Sequence, residues 1–260
     1  MRITWIGHST VAVEVDGVAL LTDPVLRSRV AHLRRVVPPA EPPAVDAVLV
    51  SHVHYDHLDL PSLRGLGRHR RLVVPKGAAG LLRLWGFRDV TELDVGGEVE
   101  IGGVTVRATP AEHSAWRPGV SRTTPSLGFV VLGSSTAYFA GDTDVFDGMG
   151  SLVPALDVAL LPVAGWGPRV PAGHLDPEGA ARALALLRPR VAVPIHWGTY
   201  RRLGLSTDPA ALREPAEEFA RLAAEAAPAV RVVVLEPGAG FDLSSAEGEA
   251  AGGPDRQTPR

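Results

Sequence analysis

The chain of 260 residues contains no cysteine and a single lysine, Lys76. The first absence excludes a disulfide framework, a thiolate metal site and a cysteine nucleophile, so any metal has to be held by His and carboxylate. The lone lysine, set among abundant Arg and Ala, reads as compositional bias of the genome. Aromatic residues make up only 5% of the chain, and no apolar run approaches the roughly 18–20 residues of a membrane span. The first residues, MRITWIGHSTVAVEVDG, carry neither the apolar segment nor the small-residue cleavage site of a signal peptide, so a cytoplasmic location is expected. An excess of positive charge is missing too. The formal charge is -3, and the most basic stretch, RGLGRHRRL at 64–72, reads as a solvated helix end leading into a strand. No nucleic-acid partner is expected.

What is present is the composition of a soluble globular protein, 45% hydrophobic and 21% charged. A chain of this length buries roughly 70–75% of its unfolded surface as one domain. RITWIG, TVAVEVDG and VALLTDP are short apolar or alternating runs broken by Gly, Asp and Pro, as strands joined by turns should be. DAVLVSH reads as a buried strand, DLPSLRGL as a helix with Pro61 in its first turn, RLVVP as a strand and GAAGLLRLWG as a helix. More strands follow in EVEIGGVTVRATPAEH, SLGFVVLG and STAYFAGDTD. The second half alternates helix GSLVPAL, strand DVALLPV, helix DPEGAARALALLRP, strand VAVPIHWGT, helix DPAALREPAEEFARLAAEAA and strand VRVVVLEPG. Asp176–Pro177 and Asp208–Pro209 are helix starts, Asp capping and Pro in the first helical position. The proline-rich VVPPAEPPAVD at 36–46 is a surface loop. No linker-like stretch divides the halves, so one layered α/β domain is expected over 1–243, followed by a disordered tail at 244–260.

Chemistry concentrates in VLVSHVHYDHLDL, residues 48–60. His52 and His54 are two apart in an extended segment and project to the same side, and Asp56 and His57 follow in the loop. Three more ligand-type residues sit where other strands end: His113 after VRATPAE, Asp142 in YFAGDTD and His196 in VAVPIHWGT. Strand ends meeting at one edge are where open α/β folds assemble sites. Together the seven residues make the donor set of a two-metal site. Imidazole and carboxylate without thiolate suit Zn, Mn or Fe, and the spacing does not choose among them; Zn is the ion expected, with Mn or Fe as alternatives.

SHVHYDHLD resembles the His-x-His-x-Asp-His pattern of the metallo-β-lactamase superfamily, and the later His113, Asp142 and His196 fall in that family's order. More narrowly, TWIGHSTVAVEVDGVALLTDPVL, AVLVSHVHYDHLD, FAGDTD, HLDPEGA and PIHWGT resemble the branch holding N-acyl-phosphatidylethanolamine-hydrolysing phospholipase D and the ascorbate-6-phosphate lactonases. The matching blocks run from about Ile3 to Tyr200. The resemblance implies a four-layer αββα sandwich with the site at one edge of two sheets. It implies that His52, His54 and His113 bind one divalent ion, that Asp56, His57 and His196 bind a second, and that Asp142 bridges them. Two ions ~3.5–4 Å apart would activate a shared water, which Asp56 also orients.

His174, in HLDPEGA, precedes the Asp176 helix start, where backbone N–H groups favour an anion. The resemblance implies that it faces the substrate, touching phosphate or assisting the leaving group. His8 in GHST is expected to support ligands without binding metal itself, and Asp23 in LTDP either does the same or serves only as a turn residue ahead of Pro24. His32 and His69 lie in arginine-rich polar stretches and are expected in solvent. Trp116 and Trp166 are placed at the mouth, Trp5 and Trp197 in the core.

The expected activity is hydrolysis of a phosphodiester or a phosphorylated small molecule. A lactonase or carboxylic-ester hydrolase is the alternative within the same chemistry, and a metal-binding protein without turnover is the alternative outside it. The acidic PAEEFARLAAEAA has the wrong charge for an anionic membrane, so no stable membrane anchor is expected. A homo-oligomer is compatible with the sequence.

Overall fold

The structure, a computed structural model, describes residues 1–165, 170–204 and 208–244. Trp166 and the tail expected beyond residue 244 lie outside the described residues. Strands β1 (Arg2–Gly7), β2 (Thr10–Val15) and β3 (Val18–Thr22) form an antiparallel meander. Asp16 and Gly17, both at positive φ (52° and 78°), make the β2–β3 turn, as a two-residue hairpin loop requires. Next come the short β4 (Arg29–Val30) and β5 (Leu33–Arg35). After them β6 (Ala47–Leu49), α1 (Leu60–Leu66), β7 (Arg71–Pro75), α2 (Ala79–Leu84) and β8 (Val90–Leu93) alternate, and β6, β7 and β8 extend the meander in parallel from β3.

The second sheet follows the same plan. β9 (Glu98–Ile101), β10 (Val104–Pro110), β11 (Leu127–Leu132) and β12 (Thr136–Phe139) are antiparallel. β13 (Val158–Pro162), β14 (Val191–Ile195) and, after β15 (Tyr200–Arg202), β16 (Arg231–Val232) continue parallel to β12. Helices α3 (Pro177–Leu187) and α4 (Pro209–Ala226) lie between these strands in sequence, and β17 (Gly240–Asp242) returns to pair with β1. The resulting sheets have the orders β17-β1-β2-β3-β6-β7-β8 and β16-β14-β13-β12-β11-β10-β9. β4, β5 and β15 form a separate small ribbon.

Side-chain alternation assigns the layers. Trp5, Val13 and Leu20 of the first sheet share one buried cluster with Val106, Phe129 and Phe139 of the second. The other face of the first sheet, through Leu21, Val48 and Leu72, packs with Leu63 of α1 and Leu82 of α2. Leu184 of α3 and Phe219 of α4 join the second sheet's buried residues, α3 contacting β13 and α4 contacting β14. The order of layers is α, β, β, α, as the resemblance implies.

Asp59, Asp176 and Asp208 cap α1, α3 and α4 by accepting from the N–H of Ser62, Gly179 and Ala210. Two expected elements come out differently. GSLVPAL holds only a single 3-10 turn, Met149–Ser151, because Pro154 disfavours helical backbone in the residue before it. VRVVVLEPG pairs only through Arg231 and Val232, since Pro194 on the partner strand β14 has no N–H to continue the ladder. Among the described residues no helix is long and apolar enough to cross a membrane.

Candidate metal centre

The topology brings the seven expected residues to one place. Within the first sheet β1, β3 and β6 run the same way, and within the second β10, β12 and β14 do. Their C-terminal ends form one edge, occupied by His8, Asp23, Ser51 to His57, His113, Asp142 and His196. Backbone hydrogen bonds join the sheets there: Leu127 N–H donates to Ser51 O (2.9 Å) and His196 N–H to His8 O (3.0 Å). The approach is close enough to require Gly141, at φ 62°. A Cβ there would lie 2.8 Å from both Leu127 O and Ser51 Cβ. Three non-glycine residues at this edge also hold left-handed backbone, His8 (φ 55°), Asp23 (φ 32°) and His196 (φ 64°). Such strain persists only where surrounding contacts over-determine it, and it clusters at functional sites.

The first donor set is His52, His54 and His113. His52 Nε2 and His113 Nε2 each lie 3.2 Å from His54 Nδ1. The opposite ring nitrogens are engaged elsewhere. His113 Nδ1 donates to Gly173 O (2.9 Å). Ser51 Oγ gives its proton to Asp23 Oδ2 (2.5 Å) and so accepts from His52 Nδ1 (2.9 Å). A neutral imidazole has one N–H, so both Nε2 atoms present lone pairs, and His54 Nδ1 can donate to only one of them. Two inward lone pairs at this spacing, and a third once His54 carries its proton on Nε2, suit a cation. Donors bound at about 2.0–2.1 Å around one tetrahedral ion lie roughly 3.4 Å apart.

The second set is Asp56, His57 and His196, and the structure adds His8. His57 Nε2 lies 3.7 Å and His196 Nε2 3.9 Å from Asp56 Oδ2. His8 Nε2 lies nearer still, at 3.4 Å. One donor atom from each of the four residues falls within 4.8 Å of the others. His57 Nδ1 donates to Asp23 Oδ2 (2.7 Å) and His196 Nδ1 to Ala164 O (2.8 Å), which turns both Nε2 atoms inward.

Asp142 stands between the sets. Its Oδ2 is 3.9 Å from His52 Nε2 and 3.2 Å from His57 Nε2, while its Oδ1 is 3.4 Å from His196 Nε2. Asp142 Oδ1 is buried and makes no hydrogen bond among the described residues. A buried polar atom left in that state is costly, and a cation beside it removes the cost.

Protonation agrees with a donor role. Burial lowers His8, His52 and His54 below their usual range, and takes His113 to about 4 and His196 to about 3. Burial opposes ionisation of Asp56 and Asp142, but the facing imidazoles outweigh it, His57 foremost for Asp56 and His196 for Asp142, and hold both carboxyls well below the ordinary value. His57 is the exception. Burial pulls it down, yet Asp142 and then Asp56 raise it well above the usual His value. It carries a proton that an incoming cation would replace, since metal ligands must be deprotonated. The residues fit a divalent metal.

Asp23 is fully buried and accepts from Ser51 N–H (2.7 Å), Ser51 Oγ and His57 Nδ1. It touches both sets, directly through His57 and by way of Ser51 through His52. Burial raises its carboxyl above the ordinary range against the pull of those hydrogen bonds. His174 sits at the mouth, its Nε2 3.5 Å from Asp142 Oδ2 and its ring 4.6 Å from that of His113. Trp5 and Trp197 are core residues stacked on each other at 4.8 Å. Trp116 is exposed under the Arg122 guanidinium, and His32 and His69 are exposed as expected. Sequence reading did not anticipate His8 among the donors. The signal available to it was GHST at the end of a strand, immediately after a glycine.

Two sheets with helices outside and an edge of His and Asp define a metal-dependent hydrolase fold. Residues 19–197 match the beta-lactamase superfamily domain, and the chain belongs to that family. It is 36% identical over 259 residues to a UPF0173 metal-dependent hydrolase of Methanopyrus kandleri, covering 93% of this chain and 100% of that one. It is 34% identical over 231 residues to an N-acyl-phosphatidylethanolamine-hydrolyzing phospholipase D of Caenorhabditis elegans, covering 76% of this chain and 64% of that one. Among solved structures it is similar to Igni18, a metallo hydrolase of Ignicoccus hospitalis, with a TM-score of 0.71, 28% identity, and 93% and 98% of the two chains covered. The protein is accordingly a metal-dependent hydrolase.

Proposed function

We propose that the protein is a dinuclear metal-dependent hydrolase of phosphodiesters or phosphorylated small molecules. The observation that carries this reading is Asp142, whose carboxylate lies between the two donor sets: Oδ2 is 3.9 Å from His52 Nε2 of the first and 3.2 Å from His57 Nε2 of the second, and Oδ1 is 3.4 Å from His196 Nε2. His52, His54 and His113 would hold one ion, Asp56, His57 and His196 the other, with Asp142 shared. Bound there, divalent ions such as Zn, Mn or Fe supply Lewis acidity and a water acidic enough to react at neutral pH.

The chain's own residues supply the rest. Asp56, ionised and with its side chain 15% exposed, accepts a hydrogen bond from the attacking water and fixes its direction. His174, with its side chain 17% exposed and anchored through Nδ1 to Pro171 O (3.2 Å), turns Nε2 inward to 3.5 Å from Asp142 Oδ2, where it would contact the phosphoryl group and deliver a proton to the leaving oxygen. Ser51 and Asp23 hold His52 and His57 in orientation. The similarity to a protein named an N-acyl-phosphatidylethanolamine-hydrolyzing phospholipase D favours phosphorus over carbonyl carbon as the centre attacked.

The experiment is hydrolysis of bis(p-nitrophenyl) phosphate measured beside a simple lactone. Preferential phosphodiester cleavage supports the reading, and preferential lactone opening replaces it with the carbonyl reaction. In the same assay His174→Ala is expected to lower turnover by a factor of about 10²–10⁴, the range of general acid–base groups, with metal content unchanged. Full turnover would reduce His174 to a packing residue.

A further inference from the structure

We infer that His8 is a direct ligand at the second metal subsite, giving that subsite one protein donor more than the first, so that it fills first and retains its ion longer. The inference rests on the dinuclear reading above and concerns a residue outside the superfamily pattern that led to it.

The case is geometric. His8 ends β1 directly after Gly7, and both residues are at positive φ, 125° for Gly7 and 55° for His8. A Cβ on Gly7 would lie 2.9 Å from Thr199 Cγ2, so the chain can pass close to Thr199 only as glycine. The unusual backbone of His8 is then locked from three sides. Its N–H donates to Thr199 Oγ1 (2.8 Å), and its carbonyl accepts from Trp5 Nε1 (2.8 Å) and from His196 N–H (3.0 Å). Left-handed backbone is unfavourable for a residue with a Cβ. What it achieves here is to direct an imidazole that is only 1% exposed inward at the carboxylate of Asp56.

The ring lies 4.1 Å from that of His196 and 5.3 Å from that of His57. Its Nε2 belongs to the same close group of donor atoms as those of Asp56, His57 and His196. The separation from Asp56 Oδ2, 3.4 Å, is what two ligands of one tetrahedral ion show, roughly 3.4 Å. Counting protein atoms besides the shared Asp142, the second subsite has His8, Asp56, His57 and His196, and the first has His52, His54 and His113. Exposure points the same way. In the second subsite His8, His57 and His196 are buried and only Asp56 is partly open, whereas in the first only His52 is buried and His54 and His113 are partly open to solvent. More donors in a drier place bind a cation more tightly and release it more slowly.

The test loads the purified, metal-free protein with Co(II) and follows the stepwise equilibrium against a competing chelator. It also counts the imidazole N–H resonances shifted by the bound ion. In the parent protein two unequal affinities are expected. His8→Ala should weaken the tighter one by roughly ten- to hundredfold, at least the effect of removing an outer supporting partner. It should remove one shifted N–H resonance and leave the weaker affinity in place. Circular dichroism of the metal-free variant reports folding, and His8→Gln, which fills the same space, takes its place if the alanine variant is unfolded. A folded variant with both affinities and all shifted resonances unchanged overturns the inference, as does equal weakening of both ions with no resonance lost, which marks His8 as a support of Asp56 only. Because the readout is ion binding, a protein that prefers lactones would fail the proposed substrate class and leave this result standing.

Discussion

Asp142→Ala should lose tight binding of both ions together and lower hydrolysis by about three orders of magnitude or more, since several kcal/mol of transition-state stabilisation depends on the metals. The expectation follows from position. Asp142 Oδ2 faces His52 and His57 while Oδ1 faces His196, so one side chain serves both subsites. It also neutralises the charge on His57. Metal analysis and turnover of bis(p-nitrophenyl) phosphate, with circular dichroism to establish the fold, check it. Parent-like turnover in the variant would remove the shared-carboxylate account.

Asp23→Ala should be nearly as damaging, though Asp23 meets neither water nor substrate. Three donors converge on its carboxylate, Ser51 N–H, Ser51 O–H and His57 Nδ1–H, and the residue is fully buried. Truncation strands those donors in the interior, at a cost of about 3–5 kcal/mol, the range for breaking a buried charged pair. It also frees His57 to turn, and lets Ser51 release His52. Both ions should therefore bind about 10–100-fold more weakly. Urea midpoints of the metal-free protein isolate the stability effect, and chelator competition isolates the affinity effect. Loss of stability with both affinities intact would confine Asp23 to the fold.

Much of this architecture is legible along the chain because its strands are short, apolar and punctuated. TVAVEV ends in Asp16–Gly17 and forms a hairpin, and the Asp-Pro pairs at 176 and 208 start helices as their chemistry requires. What escapes depends on partners distant in sequence. The β4–β5–β15 ribbon has strands of two and three residues, too short for any periodicity. β16 stops early because of Pro194, a residue on another strand. The donor candidates are visible as His and Asp at strand ends, but the role of His8 depends on a left-handed turn fixed by Thr199 and Trp5. That Asp23 serves both donor sets likewise needs Ser51 and His57 to be folded beside it. Sequence identified the residue types and their edge, and the pairing of nitrogens with carbonyls and carboxylates that aims each ring required the folded chain.

Two donor sets sharing Asp142 should hold two ions. The check is metal content per chain, measured on freshly purified protein and again after dialysis against Zn and Mn. About two ions per chain are expected, as a two-metal site requires, with neither retained tightly in Asp142→Ala. A parent protein that never exceeds one ion per chain under either metal would contradict it.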